Sequence, residues 1–96
     1  MTNQRVSPRY ETYKLAHIVL DSGKNLIRCY LRNLSASGVC VEIPQETYLP
    51  KMFSLLFEQE QMIKGPLHSA LEKRMVVRMC ETMWRNSSRL GARFSD

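Results

Sequence analysis

The feature of this sequence that most constrains its fold is a set of short segments in which apolar and polar residues alternate. In residues 26–31, for example, Ile27, Cys29 and Leu31 would share one face, and Arg28 and Tyr30 would share the other. Successive side chains of a strand point to opposite faces, so a period of two indicates a β-strand that is buried on one side. The chain is therefore expected to be built from half-buried strands.

Six segments are predicted as strands by this alternation or by β-branched and aromatic content: 12–20, 26–31, 39–43, 52–57, 74–84 and 89–94. Turn-forming residues separate several of them, at 21–25, 33–38 and 86–88. Strands joined by short turns pair antiparallel, and there is no strong helix pattern. We therefore predict an all-β fold of six strands, a barrel or a sandwich, with room for one short helix.

Residues 58–73 give the weakest pattern. Gly65 and Pro66 break the segment, and residues 67–73 are compatible with a short helical turn or with the lead-in to the next strand. The strand predicted at 74–84 differs from the others because its apolar residues fall on both faces. That pattern predicts partial cover of this strand from elsewhere.

Length, charge and cysteine content limit the class of protein. A chain of 96 residues is enough for one domain. Its net charge of +5 would attract anions such as nucleotides, nucleic acid or acidic lipid. There is no signal peptide and no apolar run as long as a membrane span. The three cysteines form no Cys-x-x-Cys pair and suit a reducing compartment, so we expect a cytoplasmic protein.

Catalytic and metal-binding residues are sparse. Neither His17 nor His68 stands at a metal-ligand spacing from a cysteine or a carboxylate. His17 could approach Cys29 across the first hairpin, as a catalytic thiol would need, but a strand histidine beside a buried cysteine is more typical of packing. We therefore expect no enzyme, no metal site and no cofactor.

Two groups of residues stand out as a candidate binding site. Arg5 and Arg9 lie in residues 1–11, which are polar and basic and which we expect to form a mobile leader ahead of the domain at 12–96. The second group, Asn33, Ser35 and Gly38, occupies the turn after the second predicted strand. The arginine spacing recurs elsewhere in the chain, but only this pair lies just ahead of the first strand.

Together these groups resemble the paired signature of the PilZ family, an Arg-x-x-x-Arg leader followed about 20–30 residues later by an Asp/Asn-x-Ser-x-x-Gly turn. The closing segments 83–85 and 90–94 are similar to the last hairpin of that family, so the resemblance covers nearly the whole chain. It implies a six-stranded antiparallel β-barrel and a bacterial receptor for the second messenger cyclic di-GMP. The ligand-binding residues carried over are Arg5, Arg9, Asn33, Ser35 and Gly38.

The chemistry of these residues suits that ligand. An arginine fork donates two parallel hydrogen bonds to phosphate oxygens or to guanine O6 and N7, and its flat face can stack on a base. Asn33 and Ser35 offer polar groups to guanine or ribose edges. Gly38 would let the ligand approach the backbone or let the turn adopt a positive φ.

The resemblance also suggests a mechanism and leaves alternatives open. Cyclic di-GMP would pin Arg5 and Arg9 of the leader against the turn, and the ordered leader would signal to a downstream protein that the sequence does not identify. One alternative is a protein–protein adaptor on the same fold that binds no nucleotide. Another is a basic barrel that binds nucleic acid, for which Tyr30 between Arg28 and Arg32 is the only indication, so we disfavour nucleic acid as a partner.

Overall fold

The computed structural model describes residues 9–43, 47–67 and 69–96. They form one closed antiparallel barrel with the strand order β1-β2-β3-β6-β5-β4. Its strands are β1 (Arg9–Leu20), β2 (Asn25–Ser35), β3 (Gly38–Glu42), β4 (Met52–Lys64), β5 (Ser69–Arg85) and β6 (Arg89–Phe94). The only helical element within the described ranges is a single 3₁₀ turn, Asp21–Gly23. The predicted all-β, six-stranded antiparallel barrel is confirmed.

The alternation in the sequence sets the inside and the outside of the barrel. Among the described residues every buried side chain is apolar. The largest fully buried side chains fill the interior, and they come from all six strands and from the segment after β3. They are Ile18, Cys29, Leu31, Val41, Ile43, Leu55, Phe57, Cys80 and Leu90. Because burial of apolar surface drives folding, this layer of side chains fixes the register of each strand.

Turns form in all three predicted regions, but the second is shorter than expected, because β2 continues to Ser35 and Asn33 therefore lies in the strand. Asp21, Ser22 and Gly23 all adopt positive φ, at 53°, 55° and 92°, and Asn25 donates a side-chain hydrogen bond to Asp21 at 3.0 Å. Between β5 and β6, the Asn86 side-chain oxygen accepts hydrogen bonds from the backbone N–H groups of Ser88 and Arg89. Asn86 thus satisfies backbone groups that the sheet leaves unpaired, whereas the bond between Asn25 and Asp21 joins two side chains across the first turn.

The segment 58–73 that gave a weak pattern is part of a long hairpin. β4 and β5 pair without interruption from Met52↔Glu81 to Lys64↔Ser69. The helical turn considered for residues 67–73 is not formed, and the alternative, a lead-in to the next strand, is correct. Pairing with β4 supplies backbone hydrogen bonds that outweigh weak local preferences in this stretch.

The far part of this hairpin extends beyond the barrel. Each of the two strands also has a second neighbour in the barrel, but over a shorter length. β4 pairs with β1 only between Ser54 and Phe57, and β5 pairs with β6 only from Cys80 onward. We call residues 58–64 and 69–75 the arm. Among the described residues, its two strands pair only with each other, so it is a two-stranded ribbon with two open edges.

The first strand is longer than the sequence predicted. β1 begins at Arg9, where we expected a strand from Thr12. The reason is that β2 continues to Ser35 and offers backbone partners back to Arg9. Arg9 therefore has strand backbone at the end of the barrel.

Candidate functional site

Strand pairing brings Arg9 next to the second group of predicted site residues, Asn33, Ser35 and Gly38. Arg9 is the register partner of Ser35, and Glu11 is the register partner of Asn33, across β1 and β2. Arg5 lies outside the described residues. The start of β1 and the end of β2 therefore meet at one end of the barrel, although the two residues are distant in sequence.

The turn between β2 and β3 is organised by the Ser35 hydroxyl. This oxygen accepts hydrogen bonds from the backbone N–H groups of Ser37 at 3.2 Å and Gly38 at 3.1 Å. It also lies 3.3 Å from the Gly38 carbonyl oxygen, to which it can donate. Ser35 thus holds the turn in shape, and a ligand would meet a turn that is already formed.

Gly38 is required by the close approach of β6. A Cβ atom at this position would lie 2.5 Å from the Ala92 carbonyl oxygen and 3.3 Å from the Arg93 Cα. The sequence offered two reasons for this glycine, a close approach to the backbone or a positive φ. The φ of Gly38 is not positive, so the second reason does not apply. The neighbour that approaches Gly38 in this structure is a strand of the same chain.

A groove of about 220 Å³ runs beside this turn. It is lined on one side by Ser35 and Gly38 and on the other by Trp84 and Arg93. The Trp84 indole covers Gly91, where a Cβ atom would overlap the ring. Trp84 and Arg93 were not predicted as site residues, because only the β3–β6 and β5–β6 pairings bring them to the turn.

The charge of Arg93 in this groove is paired. Its guanidinium bonds to the Glu81 carboxylate at 2.6 Å, and Lys51 lies 3.7 Å from the same carboxylate. The hydrogen bond from Arg93 is the main reason that the pKa of Glu81 is lowered, and nearby Lys51 adds to the effect. A phosphate in the groove would compete with Glu81 for this arginine.

A second groove, of about 190 Å³, lies on the other side of Ser35 and includes Arg78 and Phe94. The Arg78 guanidinium lies over the Phe94 ring, 4.0 Å from its centroid, and bonds to Asp96 at 2.8 Å. The hydrogen bond from Arg78 is the main cause that lowers the pKa of Asp96. Ser35 therefore stands between two grooves that each contain an arginine and an aromatic ring.

A stacked aromatic pair lies on the outside of β1 and β2. The rings of Tyr13 and Tyr30 are parallel, with centroids 5.0 Å apart, and the Arg32 guanidinium lies 5.0 Å from the centre of the Tyr13 ring. Arg32 also lies 3.5 Å from the Glu42 carboxylate. Of the two arginines noted beside Tyr30, Arg32 thus contacts this aromatic pair.

The considered approach of His17 to Cys29 does not occur. Cys29 is the register partner of Ala16 and lies buried in the core, whereas His17 pairs with Arg28 on the opposite face. Burial raises the pKa of Cys29 to about 12 and that of Cys80 to about 11, so both remain protonated thiols at neutral pH. In the part of the chain that the structure describes, no group of three or more metal-ligating side chains comes together.

The described residues also contain no helix long and apolar enough to cross a membrane.

Comparison with solved structures supports the fold. The chain is similar to the inhibitor of motility MotI/DgrA of Bacillus subtilis, with a TM-score of 0.66 and 14% sequence identity over 99% of this chain. It spans only 44% of the MotI/DgrA chain. It is also similar to the PilZ domain of YcgR from Escherichia coli, solved with c-di-GMP, with a TM-score of 0.54 and 13% identity over 98% of this chain and 79% of that one.

No curated protein sequence gives a significant match. The PilZ domain family, in contrast, matches residues 3–96, a range that includes both the arginine pair and the Asn33–Gly38 turn. Members of this family are generally non-catalytic receptors for c-di-GMP. The match covers nearly the whole sequence, and the barrel has the same fold as two solved PilZ proteins, so the chain belongs to the PilZ domain family.

Proposed function

We propose that this protein is a receptor for cyclic di-GMP, which binds between the arginine leader and the turn that Ser35 organises. The observation that carries the proposal is the register of Arg9 with Ser35. It puts the second arginine of the leader signature next to the Asn33–Gly38 turn on an already formed barrel. The match of the PilZ family over both segments supports the same assignment.

The proposed site offers the contacts that the ligand needs. Arg5 and Arg9 supply the guanidinium groups for the two phosphodiesters or for guanine O6 and N7. Asn33 supplies an amide and Ser35 a hydroxyl to guanine or ribose edges. The Trp84 ring in the groove beside the turn offers an apolar flat surface on which a guanine can stack.

Signalling follows from the change that binding makes at the leader. In this proposal the ligand binds Arg9, which already lies on the barrel in β1, and draws Arg5 towards it, and the ordered residues 1–8 then present a new surface to a downstream protein. Charge-assisted hydrogen bonds must exceed the entropy lost by ordering the leader. NMR relaxation tests this step: the backbone motion of residues 1–8 should fall at saturating nucleotide, and unchanged relaxation would refute the switch.

The first test of the proposal is calorimetric titration with cyclic di-GMP, using GTP and cyclic di-AMP as controls. We expect saturable heat with cyclic di-GMP alone, and the fitted stoichiometry reports how many nucleotides bind per chain. Absence of heat with every nucleotide would overturn the receptor and favour a nucleotide-independent adaptor on the PilZ fold.

A nucleic-acid-binding barrel remains the second candidate, because of the stacked pair Tyr13 and Tyr30 beside Arg32. Single-strand binders stack bases on exposed rings next to basic residues, and their affinity falls steeply with salt. Here each ring already has one face against the other, which leaves fewer free faces for bases. Titration with an oligonucleotide at two salt concentrations distinguishes the candidates, since binding that is steeply salt-dependent and tolerant of sequence would favour nucleic acid.

A further inference from the structure

The outward face of β5 carries an apolar row that is left exposed among the residues that the structure describes. Met75, Val77 and Met79 point away from the core, and their exposed fractions are 58%, 59% and 42%. Their neighbours Val76, Arg78 and Cys80 are buried or half-buried on the other face. Apolar residues on both faces of this strand led us to predict cover from elsewhere, and the barrel core covers only one of those faces.

The row is symmetric about Val77. Met75 and Met79 flank it at equal distances, and the next outward residues are Lys73 on one side and Glu81 on the other. A second β5 strand that runs antiparallel across this row would place Val77 against Val77 and each Met75 against Met79. Lys73 of each copy would meet Glu81 of the other, so opposite charges would face each other at both ends.

The opposite orientation is unfavourable. If the two strands ran parallel, Lys73 would face Lys73 and Glu81 would face Glu81, and like charges at an interface are repulsive. Glu81 already accepts a hydrogen bond from Arg93, so the main effect of the charges is to select the antiparallel arrangement. The order of residues in the row is therefore complementary to itself in one orientation only.

The β5 side of the arm extends this face, and its residues 70–75 are exposed. Leu71, in the same outward row, has an exposed fraction of 55%. Isolated two-stranded ribbons are marginally stable in water and gain stability when one face packs on another surface. In the antiparallel arrangement the arm of one copy would lie over the part of β5 in the other copy that contains Met79 and Glu81.

We propose that the outward face of β5 is a homodimer interface, in which two copies of this chain pack antiparallel about a twofold axis at Val77. The adjacent strand continues the surface, because Leu56 on β4 is the register partner of Val77 and would meet its own copy across the axis. This arrangement is isologous, as expected for a closed dimer. The inference is independent of nucleotide binding.

The test is sedimentation of the full chain over a range of micromolar concentrations, with no nucleotide added. We expect the wild type to dimerise and Val77→Glu to weaken self-association by at least about tenfold, because two carboxylates would meet at the axis. The matched control is Leu26→Glu on β2, where the original side chain has a similar exposed fraction of 55%. Leu26→Glu should dimerise like the wild type.

Cysteine cross-linking tests the axis itself and does not depend on how well the glutamate variant folds. Val77→Cys should form a disulfide-linked dimer on mild oxidation, and a mixture of Met75→Cys and Met79→Cys should form a mixed dimer. Met75→Cys alone should not, because two copies of residue 75 would be offset by about 14 Å along the strand, beyond the reach of a disulfide.

Four results would overturn the proposal. They are a wild type that stays monomeric at all concentrations, a Val77→Glu variant that associates like the wild type, a Leu26→Glu variant that dissociates equally, and a Met75→Cys variant that links to itself as readily as Val77→Cys. A monomeric wild type would mean that a different protein, or solvent alone, meets this face.

Discussion

Arg9 and Ser35 are register partners at the end of the barrel, where β1 begins and β2 ends. This pairing gives the second leader arginine a fixed backbone position relative to the turn. We expect Arg9→Ala to remove a charge-assisted bond to the nucleotide, worth about 1.5–3 kcal/mol. The affinity for cyclic di-GMP measured by calorimetry should therefore fall by about ten- to a hundredfold.

The matched control for this change is Arg28→Ala. Arg28 is an exposed arginine on the neighbouring strand β2, so its loss changes the net charge equally but lies away from the turn. An equal loss of affinity in both variants would show a general charge effect and would contradict a specific role for Arg9.

Gly38→Ala should destabilise the barrel even without ligand. The added Cβ would lie 2.5 Å from the Ala92 carbonyl oxygen, which is backbone and cannot turn aside. Overpacking of this kind costs about 1–3 kcal/mol, so the midpoint of urea denaturation should fall. For comparison, Val39→Ala removes side-chain volume at the neighbouring residue instead of adding it. An unchanged midpoint for Gly38→Ala would show that β6 moves away without cost.

Trp84 should report on ligand binding because it is the single tryptophan of the chain and lines the groove beside Ser35 and Gly38. Stacking of a guanine on the indole would quench its fluorescence. We expect saturable quenching with cyclic di-GMP and the same midpoint as in calorimetry. Heat without any change in fluorescence would place the nucleotide away from this groove.

Stability should fall in acid through the ion pairs of Glu81 and Asp96. Both carboxyl groups have folded pKa values lowered below their ordinary values of 4.5 and 3.8, mainly by hydrogen bonds from Arg93 and Arg78. A lowered pKa stabilises the fold at pH values above the ordinary one. This contribution to stability is lost as the pH falls from the ordinary pKa of the carboxyl group towards its lowered pKa in the folded protein.

Urea denaturation from neutral pH to pH 3 checks this dependence. The decrease in stability below about pH 4.5 should be smaller in Glu81→Gln than in the wild type, because that carboxylate no longer contributes. Since the pair is at the surface, the effect should be small. Glu58→Gln removes a carboxylate from the same β4–β5 hairpin and serves as control. Identical pH profiles for Glu81→Gln and the wild type would contradict this role.

Alternation of side chains predicted β2, β3 and β6 together with their inward faces, and residue composition predicted the other three strands. For example, the residues predicted to share a face in β2, including Cys29 and Leu31, are buried in the core. The Asn33–Gly38 turn was also readable, because its residues are adjacent in sequence and turn chemistry is local. These features depend on short-range rules.

Other features depend on pairing between distant segments. The arm has little core-facing pattern, so its strands could not be predicted before the continuous β4–β5 register was known. Trp84 and Arg93 reach the turn only through β6, and the reason for Gly38 is a β6 carbonyl. A single sequence gives no direct signal for such tertiary neighbours.

The pairing of β3 with β6 has a consequence for the order of folding. It joins Gly38 to Arg93, two residues far apart in the chain, whereas β4 and β5 are neighbours in sequence and can form a hairpin rapidly. Pairing β3 with β6 requires a loss of loop-closure entropy before the contacts between them form. This step should therefore limit the folding rate. During synthesis, the groove beside Ser35 cannot assemble until β6 has left the ribosome, so the site proposed for the nucleotide forms only after the other five strands have been made.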